Sequence, residues 1–210
     1  MKNTNKIIIY QIICLLLMMT IGILLFDKQK EKPVMEKETI SIKEAALSVI
    51  ENRKSVRNFI SDKQISKEDI DIIVKAGFAA PSGRDARPWE IVLVDDRKVL
   101  DAMAEKLPYA KMLTKAPLAV VVCGDTTKSS YWYVDCSAVT ENILLAVEAL
   151  GLGAVWTAAY PYEDRMDVVV KNLNLPDNIL PLAVIPIGYP EGEHKPKDKF
   201  DSNKIHHNQW

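Results

Sequence analysis

Apolar and polar positions follow three different rhythms along this chain. Residues 7–26 read IIIYQIICLLLMMTIGILLF, 20 residues without a charge. At ~1.5 Å rise per residue, a helix of that length covers about 30 Å, the hydrocarbon thickness of a bilayer. From residue 41 a helical period takes over. Ser41 with Glu44, and Ser66 with Asp69, have N-terminal capping spacing. They open helices carrying Ala45, Ala46, Val49 and Ile50, and then Ile70, Ile73, Val74 and Gly77. Residues 97–107 and 163–173 repeat the helical period. Residues 133–150 make a longer helix with Val139, Ile143, Ala146, Val147 and Leu150 on one side and Ala138, Leu144, Leu145 and Ala149 on others. Apolar on several faces, it is expected to be central, and Gly151 and Gly153 end it. Four β-rich runs lie between the helices: WEIVLV at 89–94, PLAVVVC at 117–123, AVWTAA at 154–159 and LAVIPIG at 182–188. The second is apolar without alternation and reads as a strand buried on both faces. Pro186 predicts that the last strand is irregular or at an edge.

This order predicts a sheet with helices packed on its faces. The chain divides into a basic flank at 1–6, a transmembrane anchor at 7–26, a polar linker at 27–40 and a folded domain at 41–210. A cleavable signal peptide would have a shorter apolar core and a small-residue cleavage site, and none follows Phe26. Gln11, Ile12 and Ile13 before Cys14 make a poor lipoprotein box. Lys28, Lys30, Lys32 and Lys37 outnumber Lys2 and Lys6, which places the folded domain on the cytoplasmic side.

Composition narrows the chemistry. Twenty-seven Lys and Arg against 28 Asp and Glu leave a net charge of -1, so no basic stripe for nucleic acid is expected. A hydrophobic fraction of 48% excludes disorder over the whole length. Cys14, Cys123 and Cys136 have no CxxC spacing, and Cys123 and Cys136 read as small buried hydrophobes. His194, His206 and His207 lie near the C-terminus, where solvated imidazoles are expected rather than a metal site. The glycine fingerprints of dinucleotide-binding and P-loop domains are absent.

Three clusters remain as candidate chemistry. Arg53, Lys54, Ser55 and Arg57 lie between two helices, and two guanidinium forks, an ammonium and a hydroxyl can surround a phosphate; otherwise this is a solvated basic turn. Residues 80–89, APSGRDARPW, form a donor- and acceptor-rich loop feeding into a strand, or a plain connector. Lys195, Lys197 and Lys199 form a charge run in the polar tail.

Together with GLGAVW at 151–156, Asp135 and Asn142 on the long helix, and GYP at 188–190, these motifs resemble the nitroreductase family of FMN-dependent oxidoreductases. The order and spacing match from about residue 41 to the end. The resemblance implies an α+β sandwich, with a central, mostly antiparallel sheet flanked by helices, forming an intertwined homodimer with FMN in the subunit interface. It places Arg53, Lys54, Ser55 and Arg57 at the FMN phosphate, joined by Lys197 and Lys199. Pro81, Ser82, Gly83, Asp85 and Arg87 would approach the isoalloxazine or ribityl chain, and Thr157, Ala158 and Ala159 would offer backbone N–H groups to flavin N5. Many members carry Asn at the position of Asp85 and Gln at that of Arg87; here the two charges can offset one another. The implied activity is hydride transfer from NADH or NADPH onto flavin N5, followed by reduction of a nitroaromatic, quinone or similar small acceptor in a ping-pong sequence. No side chain is required as a catalytic residue and no metal is implied. Related folds host reductive dehalogenation and oxygen-dependent flavin cleavage, but the short stretch at 107–117 leaves little room for a lid. The alternative is a membrane-tethered flavin-binding module that passes electrons to a protein partner.

Overall fold

Apolar residues on both faces of a strand require cover on both sides, and this governs the architecture of the computed structural model. It describes residue 13, residues 15–22 and residues 41–210. The chain forms two units, Met1–Ser41 and Ile42–Trp210. In the first, residue 13 and residues 15–22 are helical, and Thr20 Oγ1 donates to Leu17 O at 2.9 Å. Among the described residues no helix is long and apolar enough to cross a membrane. The ends of the expected 7–26 span, the 1–6 flank and the 27–40 linker lie outside the described residues.

The second unit contains helices α1 (Ile42–Asn52), α2 (Lys67–Phe78), α3 (Arg97–Lys106), α4 (Trp132–Ala149) and α5 (Glu163–Leu173). Its strands are β1 (Trp89–Val94), β2 (Leu118–Asp125), β3 (Gly153–Ala154), β4 (Thr157–Ala158) and β5 (Ile179–Gly188). Ser66 caps α2 by accepting from Asp69 N at 3.0 Å, as its spacing predicts. Asp96 caps α3 through Lys98 N and Val99 N, a cap the helical period alone does not reveal.

The sheet order is β1-β2-β5-β3, with β4 also pairing β5, and every strand ladder is antiparallel. All eight residues of β2 are buried. Val120 and Val122 face a core with Ile73 of α2 and Val139, Ile143 and Val147 of α4. Ala119, Val121 and Cys123 face the opposite core, with Leu100 and Met103 of α3 and Val169 of α5. The period-two alternation of the strand thus feeds two apolar layers, each fully buried aliphatic side chain contributing about 1.5–3 kcal/mol. Helix α4 passes so close to α2 that a Cβ at Gly77 would meet Ile143 Cγ1 at 3.0 Å. Asn142 adds a bond from Nδ2 to Ala76 O at 3.0 Å.

Two expectations for the sheet change. The last strand is central rather than at an edge, since β5 pairs β2 on one side and β3 and β4 on the other. The run at 154–159 is not one strand but two short ones. Ala154 is opposite Ile187 and Thr157 is opposite Val184, so Val155 and Trp156 leave the ladder opposite Ile185 and Pro186. A proline has no N–H to give a ladder, so a gap beside it costs little. Helix α1 has no buried residue; Val49 is half-buried, but Ile42 is 91% exposed and Ile50 58%.

Candidate active site

The segment carrying the first basic cluster is attached to the sheet by alternation. Val56 and Phe59 are fully buried and, with Ala116, form a third small apolar cluster, while Ser55 and Arg57 point outward. Val56 N donates to Ala154 O at 2.8 Å, Ile60 N to Tyr189 O at 2.9 Å and Glu191 N to Asn58 O at 3.0 Å. This close approach needs glycine at 153, because a Cβ there would lie 2.7 Å from Val56 Cβ.

The docking delivers Arg57 to a cavity of about 410 Å³ formed where Val155 and Trp156 leave the ladder. Around it stand Arg57, Tyr109, Lys111, Thr157, Ala158 and Arg165. Three of the lining residues are cations and none is a carboxylate. Lys111 Nζ donates to Ala104 O and Glu105 O, both at 2.8 Å, at the C-terminal end of α3. Thr157 Oγ1 donates to Val184 O at 2.6 Å and fixes β4 on the sheet.

The other basic residues go elsewhere. Lys54 Nζ bonds Glu148 Oε1 at 2.7 Å and Arg53 Nε approaches Glu141 Oε1 at 3.4 Å, so both are paired to α4. Ser55 bridges Ala154 on the parallel side. Ala159 N donates to Leu182 O at 2.9 Å and its side chain is buried, so its N–H is not free for the flavin contact expected of it. Lys197 and Lys199 are exposed in the tail and do not line the cavity.

The loop at 80–87 is held separately. Asp135, buried on the first turn of α4, accepts from Ser82 Oγ at 2.9 Å and from Gly83 N at 3.1 Å, and Ser82 Oγ accepts from Arg87 N at 2.8 Å. These bonds hold a backbone with left-handed φ at Arg84 (58°), Asp85 (57°) and Arg87 (45°), three non-glycine residues in a sparsely populated region. Pro81, Ser82 and Gly83 border a second cavity of about 450 Å³ with Tyr131, Val134 and Asp135. Asp85 and Arg87 form a two-pronged ion pair, at 2.6 and 2.7 Å, in full contact with solvent. The hydrogen bond from Arg87 holds the Asp85 carboxyl below the usual carboxylate range, and the same bond raises Arg87. The charges therefore cancel locally, as their spacing allows.

Arg165, Tyr109 and Lys111 were not among the residues expected from sequence. Tyr109 and Lys111 lie in a stretch that reads as a connector, and Arg165 in one that reads as an ordinary amphipathic helix. The cysteines carry no chemistry here. Burial pushes both thiols up to about 12, and Cys136 Sγ donates to Cys123 O at 3.2 Å.

A phosphate-bearing cofactor fits this first cavity, because a dianion there meets fixed positive charge without carboxylate repulsion. The close approach at Gly153 generates a prediction. Gly153→Ala is expected to lower thermal stability and to weaken FMN binding about tenfold or more, because the 55–59 segment must shift and carry Arg57 with it. Calorimetry and FMN titration read the two effects; unchanged values of both would contradict this docking.

Comparison with known proteins agrees with the geometry. The sequence pattern of the Nitroreductase family matches residues 50–110 and 104–189. A protein of Archaeoglobus fulgidus, provisionally named NADH dehydrogenase/NAD(P)H nitroreductase, is 42% identical over 174 residues, 80% of this chain and 99% of that one. The crystal structure of a protein of the same provisional name from Bacteroides thetaiotaomicron is 61% identical and superimposes with a TM-score of 0.78, over 79% of this chain and 98% of that one. An FMN-dependent nitroreductase of Clostridium difficile is 29% identical with a TM-score of 0.74, over 78% of this chain and 99% of that one. Sequence pattern, identity over nearly the full length of these relatives and a shared antiparallel sandwich lead to one conclusion: the chain belongs to the nitroreductase family of oxidoreductases.

Proposed function

We propose that this protein binds FMN in the Arg57 cavity, takes hydride from NADH or NADPH, and reduces a nitroaromatic, quinone or similar small acceptor in two alternating half-reactions. The observation that carries this reading is the 410 Å³ cavity with cationic residues and no carboxylate in its lining, beside the backbone of Thr157 and Ala158. The FMN dependence named for the Clostridium difficile relative supports it. Bound FMN supplies the hydride and electron chemistry. The chain's own part is to bind and orient. Arg57, with its guanidinium fork, would hold the phosphate, and the backbone at 157–158, which lines the same cavity, would border the isoalloxazine. Tyr109 and Trp156 give the cavity aromatic walls. No side chain is asked to act as a nucleophile, in keeping with two thiols raised out of the neutral range.

The second half of the reading is a homodimer. The loop at 80–87 and the Arg57 cavity are separate within one chain, while α1 and the tail offer uncovered apolar residues, with Phe200 79% and Trp210 fully exposed. A second copy laid over these residues would cover them and bring its loop at 80–87 and its Lys197 and Lys199 toward the cofactor. We expect the full chain, solubilised in detergent, to be yellow, to sediment as a dimer, and to oxidise NADH or NADPH with a nitroaromatic or quinone and no protein partner. A colourless monomer would refute the reading. Oxidation only in the presence of a partner protein would favour an electron-transfer module.

The 20 uncharged residues at 7–26 support an uncleaved single-pass anchor, with the folded domain on the cytoplasmic side by the lysine balance. The full chain is expected in the membrane fraction, resistant to carbonate extraction, and digestible by protease only after the cytoplasmic face is opened. Recovery in the soluble fraction would exclude the anchor.

A further inference from the structure

We propose that Arg165 recognises a carboxylate, and that the acceptor reduced in this cavity is therefore an aromatic acid. This rests on the FMN reading of the same cavity. Two of the three lining cations already have work there. Arg57 stands in the segment that the sheet docks at the phosphate end, and Lys111 closes the C-terminal carbonyls of α3. Arg165 has no such occupation. It makes no ion pair among the described residues, and its side chain's only hydrogen bond there is a long one, Nη1 to Ala158 O at 3.4 Å. Its Nε is buried with no hydrogen-bond partner among the described residues.

An arginine left like this is unusual, because a buried donor without a partner is costly. What holds it is aromatic. The guanidinium lies 3.7 Å from the centre of the Tyr162 ring and 4.9 Å from that of Tyr109. Tyr162 comes from the turn before α5, Arg165 from its first turn, and Tyr109 from the connector after α3. Such stacking fixes the plane of the guanidinium without using any of its N–H groups, which leaves the fork available. The ligand that matches is planar and carries two adjacent anionic oxygens: a carboxylate fills the fork, and a ring lies along Tyr109 and Trp156.

The test uses the FMN-loaded full chain in its oxidised state, titrated with benzoate and with benzamide as the neutral isostere, by calorimetry and by the flavin absorbance change. Wild type is expected to bind benzoate at least about tenfold more tightly than benzamide. Arg165→Met should abolish that preference while leaving benzamide binding to the FMN-loaded protein unchanged. Arg165→Gln is the second neutral variant, and Arg165→Lys should retain part of the preference. In turnover, 4-nitrobenzoate should show the loss in KM and nitrobenzene none. Equal weakening of both ligands would make Arg165 a packing residue and overturn the proposal, as would a wild type without preference. A change confined to NADPH relative to NADH would assign the fork to the donor's phosphate and overturn it. Loss of FMN from the variant alone would make Arg165 a cofactor ligand, against the proposal. A wild type that binds no FMN would overturn the cofactor reading, and this one with it.

Discussion

The site depends on one backbone contact. Val56 lies so close to Gly153 that any Cβ at 153 would force a shift, and the Val56 N–H closes onto Ala154 O at 2.8 Å. Burial of Val56 and Phe59 supplies the attraction, and the missing side chain at Gly153 removes the obstacle. Because successive residues of an extended segment face opposite ways, burying Val56 necessarily turns Arg57 outward, to the cavity beside Thr157. The conformation of four or five residues thus fixes which cation of the segment lines the cavity.

Charge then sorts the basic residues into two kinds. Arg53 and Lys54 are neutralised by Glu141 and Glu148 on α4 and fasten the segment to the helix. Arg57, Lys111 and Arg165 face the cavity without a carboxylate among its lining. A pair near a protein surface contributes little to stability. An unpaired guanidinium in a cleft is a stronger pointer to an anionic ligand, because nothing among the described residues neutralises it. Asp85 and Arg87 add no net field, since their bidentate pair cancels in solvent.

Much of the fold is legible in the sequence, for physical reasons. The all-apolar run of β2 and the multi-faced apolar pattern of α4 report burial on both sides, and both elements are central. The capping serine at 66 works because its hydroxyl oxygen can accept from one N–H only at a fixed spacing. Pro186 marks an irregularity and not an edge, because the strand partner skips past it while β5 stays central. The motif at 53–57 does not say which of its cations pair with α4, since that depends on glutamates about 90 residues away. The N–H of Ala159 is likewise committed by a distant residue, Leu182 O across the sheet. Tyr109 and Arg165 belong to elements with no local signature, and only folding brings them together.

The account is tested most directly by FMN titration of apoprotein carrying Arg57→Ala against apoprotein carrying Arg53→Ala. A charge-assisted bond to phosphate contributes about 1.5–3 kcal/mol, so losing the Arg57 fork should weaken FMN by about tenfold to a hundredfold. Arg53→Ala, which releases Glu141 instead, should cost several times less. Equal losses, or a larger loss from Arg53→Ala, would contradict the assignment of the cavity and of the contact that positions Arg57 in it.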